Sequence, residues 1–209
     1  MEIDPSKLTI QERSALMVSV ISPRPIAWVS TISREGVTNL APFSFFTGIS
    51  SNPVTVCFAP ALNRFGEKKD TLVNIEATGQ FVVNVATEET ASAMNQTGAA
   101  YPRGVSEFEK AGLTPAPSSK VRPPGVRESP VRMECELIQV VTISEGPVGG
   151  KLVIGRVVHV HADDRIWKDG HISHKDLRPI GRMEGPWYVK ATAAFEMQRP
   201  ERPNLPQKA

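Results

Sequence analysis

The stretch from Ser22 to Pro60, SPRPIAWVSTISREGVTNLAPFSFFTGISSNPVTVCFAP, limits what this chain can fold into more than any other part of it. Its apolar and β-branched runs follow one another closely, the pattern of strands joined by tight turns. Arg24 to Ile32 reads as a first strand, and Ser33-Arg34-Glu35-Gly36 as a turn in which Gly36 can take positive φ. Val37 to Thr47 is expected to return as a second strand, and Val54 to Ala59 to form a short third. Pro42 lies inside the second run and cannot donate a ladder hydrogen bond, so a bulge or an open sheet edge is expected there. Small and polar residues (Ser30, Thr31, Asn39, Ala41, Ser44) occupy positions where a plain core would carry bulk. Bared backbone groups beside small side chains can meet a flat polar ligand. They equally suit an edge hairpin that closes on its own core, and spacing does not choose between the two.

The rest of the chain continues in the same style. Thr9 to Ser19 has a helical pattern, with Ile10, Leu16, Met17 and Val20 spaced for one face. Asp70 is a fitting N-cap for a helix through Thr78, with Gly79 as its stop. Phe81 to Val85 reads as a buried strand. Thr87 is placed to cap a second short helix ending before Gly98, and Ser106 to Ala111 suggests one or two helical turns. Thr114 to Pro130 is a Pro-rich surface connection. Val131 to Ser144 and Lys151 to Ala162 form a second long hairpin. A short helix is expected near Ser173 to Leu177 and a last strand over Trp187 to Phe195, before an extended Pro-rich tail from about residue 198. Hairpin-linked strands with few helices between them argue for antiparallel pairing, and closing them into a barrel would remove exposed edges.

Length and composition exclude several classes of function. A chain of 209 residues with 40% apolar content is expected to be one domain, spanning residues 1–209. A net charge of +2 gives no reason to expect nucleic acid. Cys57 and Cys135 lack CxxC spacing and read as small buried hydrophobes in a reducing compartment. No signal peptide and no apolar run of membrane-spanning length is present, so a soluble, cytoplasmic protein is expected. G-x-G-x-x-G, G-x-x-x-x-G-K-[ST] and G-x-S-x-G are all missing, which removes Rossmann, P-loop and α/β-hydrolase readings. The pairs His159-x-His161 and His171-x-x-His174 have no cysteine or carboxylate to complete a ligand pattern, and no metal is expected.

Lys68-Lys69-Asp70-Thr71 is the best anion site that the residues themselves propose. A helix start directs free N–H groups outward, Thr71 adds a hydroxyl and Lys69 a compact positive charge. A solvated helix start would have the same sequence.

SPRPIAWVSTISREGVTNLAPFSFF, KKDTLVNIEATGQFVVNV (68–85), GVSEFEKAGLTPAP (104–117) and the segment Leu177 to Tyr188 together resemble the flavin reductase-like, FMN-binding split-barrel family. The segments follow the family's order and cover nearly the whole chain. The resemblance implies a mainly β fold, an antiparallel Greek-key split β-barrel with a few short helices, assembled as a homodimer. It implies FMN as cofactor, held by Trp28, Ser30, Thr31, Asn39, Leu40, Ala41, Pro42, Ser44 and Phe45 and by the KDTxxN residues Lys69, Thr71 and Asn74. It places Arg182, Trp187 and Tyr188 on the substrate side or at the second subunit. Glu184 stands where the family's R-x-G-G-x-x-Y pattern has its first glycine, which puts the local geometry there in question. The activity implied is an NAD(P)H-dependent flavin reductase, with NADH or NADPH as donor and a monooxygenase or other protein as acceptor. An FMN-carrying electron-transfer protein of flavoredoxin type and a non-catalytic flavin-binding module are the alternatives. The chemistry is carried by the flavin, and no catalytic side chain is assigned.

Overall fold

The structure is a computed structural model that describes residues 1–200, so nearly all of the expected tail lies outside the described residues. Its elements are α1 (Ile10–Val20), β1 (Ala27–Ile32), β2 (Thr38–Phe43), β3 (Phe46–Ser51), β4 (Val54–Phe58), α2 (Asp70–Thr78), β5 (Gln80–Val85), α3 (Ala91–Gln96) and α4 (Glu107–Lys110). There follow the short pair β6 (Pro115–Ala116) and β7 (Gly125–Val126), and the long hairpin β8 (Val131–Thr142) and β9 (Lys151–Ala162). Last come β10 (Trp167–Lys168), β11 (His171–Ile172), α5 (His174–Leu177), β12 (Ile180–Arg182) and β13 (Tyr188–Lys190).

The described residues form a seven-stranded antiparallel sheet in the order β2-β1-β5-β8-β9-β4-β3. Its two outermost strands, β2 and β3, are consecutive in the chain. They meet at the corner Ser44-Phe45, where the Ala59 N–H donates to the Phe45 carbonyl at 2.8 Å. The sheet therefore curls until its ends are joined covalently without being joined by a ladder, which is the split of a split barrel. Side chains cross the gap instead. Phe43 and Phe58 have ring centroids 5.2 Å apart, and Phe58 meets Phe81 edge-on at 5.5 Å. Val29, Val56, Val83, Cys135 and Val153 complete the interior, into which α2 sends Leu72 and Ile75.

β1 is buried on both faces. Ala27 and Val29 point into the barrel, whereas Trp28 points outward into a second cluster with Leu40, Met94, Phe108, Val126 and Ile180. That alternation is the period of two expected of a strand between two layers.

Several boundaries differ from those that the sequence suggests. Val37 to Thr47 is two strands rather than one, because the chain turns a corner at Ser44-Phe45 with no glycine to mark it. The N-cap of α2 is Lys69, and Asp70 is its first helical residue. Thr90, not Thr87, precedes α3, and its hydroxyl oxygen accepts from the Thr87 N–H at 3.0 Å. The last strand covers Tyr188–Lys190 only. α1 starts at a Thr9–Glu12 capping box, yet among the described residues nothing buries it, and Ile10, Met17 and Val20 face solvent. Cys135 is buried, but Cys57 is only half-buried.

Candidate flavin site

β2 is the edge from which the site is built. Among the described residues it pairs only with β1. The Leu40 N–H donates away from β1, to the Glu107 carboxylate at 2.9 Å. Pro42, two residues on, shares that orientation, so its missing N–H costs no ladder bond and the carbonyls of Leu40 and Pro42 are turned to the open side. The sequence expectation of an open edge at Pro42 matches this arrangement.

Two adjoining clefts run along that edge. The first, about 650 Å³, lies between β2 (Asn39, Ala41, Pro42, Phe43), the start of α2 (Lys69, Asp70, Thr71) and the loop Thr97 to Tyr101. The second, about 700 Å³, is lined by Arg24, Ser44, Asn95, Arg182 and Tyr188. Pro42, Gly98 and Ala99 line both and form the junction. Gly98 is what brings the loop so close, since a Cβ there would lie 3.2 Å from the Asn95 carbonyl oxygen and 3.4 Å from Pro42 Cγ. Each cleft has the size usual for a small-molecule site.

The first cleft suits an anion at one end. α2 begins at Asp70, and the N–H groups of Asp70 and Thr71 lie in its first turn, where no intrahelical acceptor exists. Lys68 is engaged with Glu76 at 2.6 Å, and Asp70 with Arg103 at 2.8 Å. Lys69 has no hydrogen bond or ion pair among the described residues, and its ammonium stands 5.5 Å from the centre of the Phe43 ring. It remains accessible at the cleft mouth, but the walls strip part of its hydration and lower its pKa. A lone, partly desolvated cation beside a helix N-terminus is matched to a phosphate.

The other expected residues divide between cleft wall and support. Asn39, Ala41, Pro42, Lys69 and Thr71 line the first cleft, and Ser44, Arg182 and Tyr188 line the second. Trp28, Ser30, Thr31, Leu40 and Asn74 are buried behind them. Trp28 Nε1 donates to Thr97 Oγ1 at 2.9 Å and so anchors the junction loop, while the Ser30 hydroxyl donates to the Pro124 carbonyl. Asn74 donates to Thr31 at 3.0 Å, and Thr71 to Asn39 at 2.8 Å. Phe45 and Trp187 are exposed and line neither cleft. Arg182 lies over the Tyr188 ring and hydrogen-bonds its hydroxyl, which donates on to Asn95 at 3.1 Å. Among the described residues no three His, Cys, Asp or Glu side chains come together as metal ligands.

The sequence reading misses Glu107 and the Thr97 to Tyr101 loop, and it does not foresee the burial of Arg24. Glu107 reaches β2 from 67 residues away, a distance that no local pattern bridges. Arg24 is buried, and its guanidinium donates to the carbonyls of Val18, Ile21 and Met183 at 2.6, 2.6 and 2.9 Å. It ties the end of α1 to the second cleft.

Comparison with known proteins bears on the family and the fold. The sequence model described as flavin reductase like domain matches residues 19–174. An uncharacterized protein of Halalkalibacterium halodurans is 37% identical over 96% of this chain and 97% of its own length. Nitrilotriacetate monooxygenase component B from Bacillus cereus superposes with a TM-score of 0.90 at 36% identity, over 94% of this chain and 98% of its own. For the 2-nitrobenzoate 2-nitroreductase of Pseudomonas fluorescens the TM-score is 0.87 at 29% identity, with 96% of each chain covered. A Shewanella frigidimarina protein described by its split barrel domain superposes with a TM-score of 0.80 at 24% identity, over 97% of this chain and all of its own, which bears on the fold alone.

Proposed function

The chain belongs to the flavin reductase-like family, and on that premise we propose that it binds FMN along β2 and passes electrons to it from NADH or NADPH. The observation that carries this reading is Lys69, a cation without a partner among the described residues, set beside the first turn of α2 at one end of a cleft with an open strand edge along its wall. Lys69 and the N–H groups of Asp70 and Thr71 would hold the phosphate. The outward carbonyl of Pro42 would meet a hydrogen-bond donor of the ring system, with the Gly98 loop across from it. Bound flavin supplies the hydride-accepting chemistry, and the chain supplies position and access. The second cleft, with Arg182 and Tyr188, would receive the donor or the acceptor.

Likeness to a monooxygenase component supports release of reduced flavin to a monooxygenase partner. A cytoplasmic homodimer is part of the same proposal. None of the described helices is long and apolar enough to cross a membrane. Titration with FMN followed by steady-state oxidation of NADH and NADPH tests the reading, which expects flavin-dependent turnover with at least one nicotinamide. Flavin retained through dialysis without such turnover would favour an electron carrier of flavoredoxin type, or a binding module, instead.

A further inference from the structure

Glu107 is a buried carboxylate on the wall of the first cleft, and among the described residues no cation lies against it. Its oxygens accept only N–H groups. Asn39 Nδ2 lies 2.9 Å from both Oε1 and Oε2, and the Leu40 N–H lies 2.9 Å from Oε2. An ionised carboxylate accepts and cannot donate, so it dictates which end of the Asn39 amide faces it. Asn39 Oδ1 is turned toward α2, where it takes the Thr71 hydroxyl proton at 2.8 Å and a longer contact from Thr31 at 3.4 Å. The single proton of Thr71 is therefore committed, and its oxygen has only lone pairs left. A phosphate dianion also offers only acceptors. With Glu107 ionised, the Thr71 side chain cannot contribute a hydrogen bond to it.

We infer that Glu107 sets the donor–acceptor polarity of this anion cradle, so that binding of the flavin phosphate takes up a proton on Glu107 and turns the Thr71 hydroxyl into a donor. The proton comes from solvent to Oε1. The neutral carboxyl then donates to Asn39 Oδ1 and keeps Oε2 as acceptor for the Leu40 N–H. The Asn39 amide turns over, its Nδ2 donates to Thr71 Oγ1, and the Thr71 proton is free for the phosphate. Glu107, Asn39 and Thr71 keep one another as partners in both states, and only the long Thr31 contact changes, its hydroxyl proton giving up Asn39 Oδ1. The inference rests on the reading that the phosphate sits at the start of α2.

The surroundings favour proton uptake. Burial raises the Glu107 pKa, the Leu40 N–H and the Asn39 amide oppose it, and the charge of Asp70 raises it further. The charged groups that share its cleft are Glu67, Lys68 and Lys69 before α2, Asp70 at its start and Arg103 paired with Asp70; Glu109 and Lys110 follow it on α4, and β2 brings none. An arriving phosphate adds negative charge and acts in the direction of uptake.

Calorimetric titration of the full chain with FMN and with riboflavin, from pH 7 to 9 in buffers of different ionisation enthalpy, tests the inference. That range keeps FMN dianionic, since its second phosphate pKa is about 6. Wild type is expected to take up a fraction of a proton per FMN and none per riboflavin, with FMN affinity falling as pH rises. The amide of Glu107→Gln can donate to Asn39 and accept from Leu40 at every pH. That variant should bind FMN without proton uptake, and at pH 9 roughly tenfold more tightly than wild type, with riboflavin unchanged. Thr71→Val has no hydroxyl proton to redirect and should lose most of the uptake, and it decides the matter if Glu107→Gln does not fold. FMN preferred over riboflavin without proton uptake, a folded Glu107→Gln no tighter than wild type at pH 9, or undiminished uptake in Thr71→Val would each overturn the inference alone. Equal binding of FMN and riboflavin by wild type would overturn the phosphate reading and this inference with it.

Discussion

Phe81 reaches from β5 across β8 to rest on the bare backbone of Gly155 in β9; a Cβ built on that glycine would come 2.7 Å from Phe81 Cε1. The contact spans three strands of the barrel and leaves no space for a methyl group. The same ring meets Phe58 on β4, so the glycine helps to set the aromatic stack that crosses the split.

Gly155→Ala should therefore destabilise the fold by about 1–3 kcal/mol through overpacking. Urea denaturation measures this. Phe81→Leu in the same background should recover part of the loss, and a double-mutant cycle should show coupling between the two sites.

Arg24 is predicted to hold α1 in place. Arg24→Met leaves the carbonyls of Val18, Ile21 and Met183 without their donor and should cost about 1–3 kcal/mol. Arg24→Lys should not restore it, because a single ammonium cannot reproduce the guanidinium fork. Limited proteolysis should then cut first near α1.

The Cys135 thiol, fully enclosed by the barrel, has its pKa pushed up to about 12, mainly by burial and further by Glu134. A raised folded-state value means that above about pH 8.5 the unfolded chain loses a proton that the folded chain keeps. Stability should then fall as pH rises from about 9 toward 12, and Cys135→Ala should flatten that part of the curve. In native protein at pH 8, Cys135 should not react with an aromatic disulfide reagent until denaturant is added.

Much of this architecture was open to sequence reasoning where the signal is local. Gly36 at φ 92° and Gly79 at φ 69° end their elements where glycine alone suggests, and the long β8–β9 hairpin begins and ends near its expected limits. What stays hidden depends on distant partners. The corner at Ser44-Phe45 carries no glycine or proline, because closure of the barrel rather than local preference bends the chain there. Apolar spacing in α1 suggests a buried face, yet the described residues leave that face open. Lys69 and Thr71 are legible as a candidate anion site because a helix start concentrates their chemistry within three residues. Glu107 is not, since only the fold brings it to Asn39.

The exposed apolar residues Phe45 and Ile49 by the split, with Met17 and Val20 on α1, offer surface for a second copy. Light scattering at micromolar concentration should give twice the chain mass. A monomer that binds FMN stoichiometrically would contradict the proposed homodimer.

The most direct test concerns Lys69. Lys69→Ala should weaken FMN binding roughly tenfold to a hundredfold, as expected for loss of a charge-assisted hydrogen bond, and leave riboflavin nearly unaffected. The difference between wild type and variant should shrink as salt rises, because screening weakens the same charge in the intact protein. Fluorescence titration of both flavins, with the unfolding midpoint checked alongside, reads the outcome. Selective loss of FMN affinity is the predicted result; equal weakening of both flavins, or no change in a folded variant, would contradict a phosphate site at the start of α2.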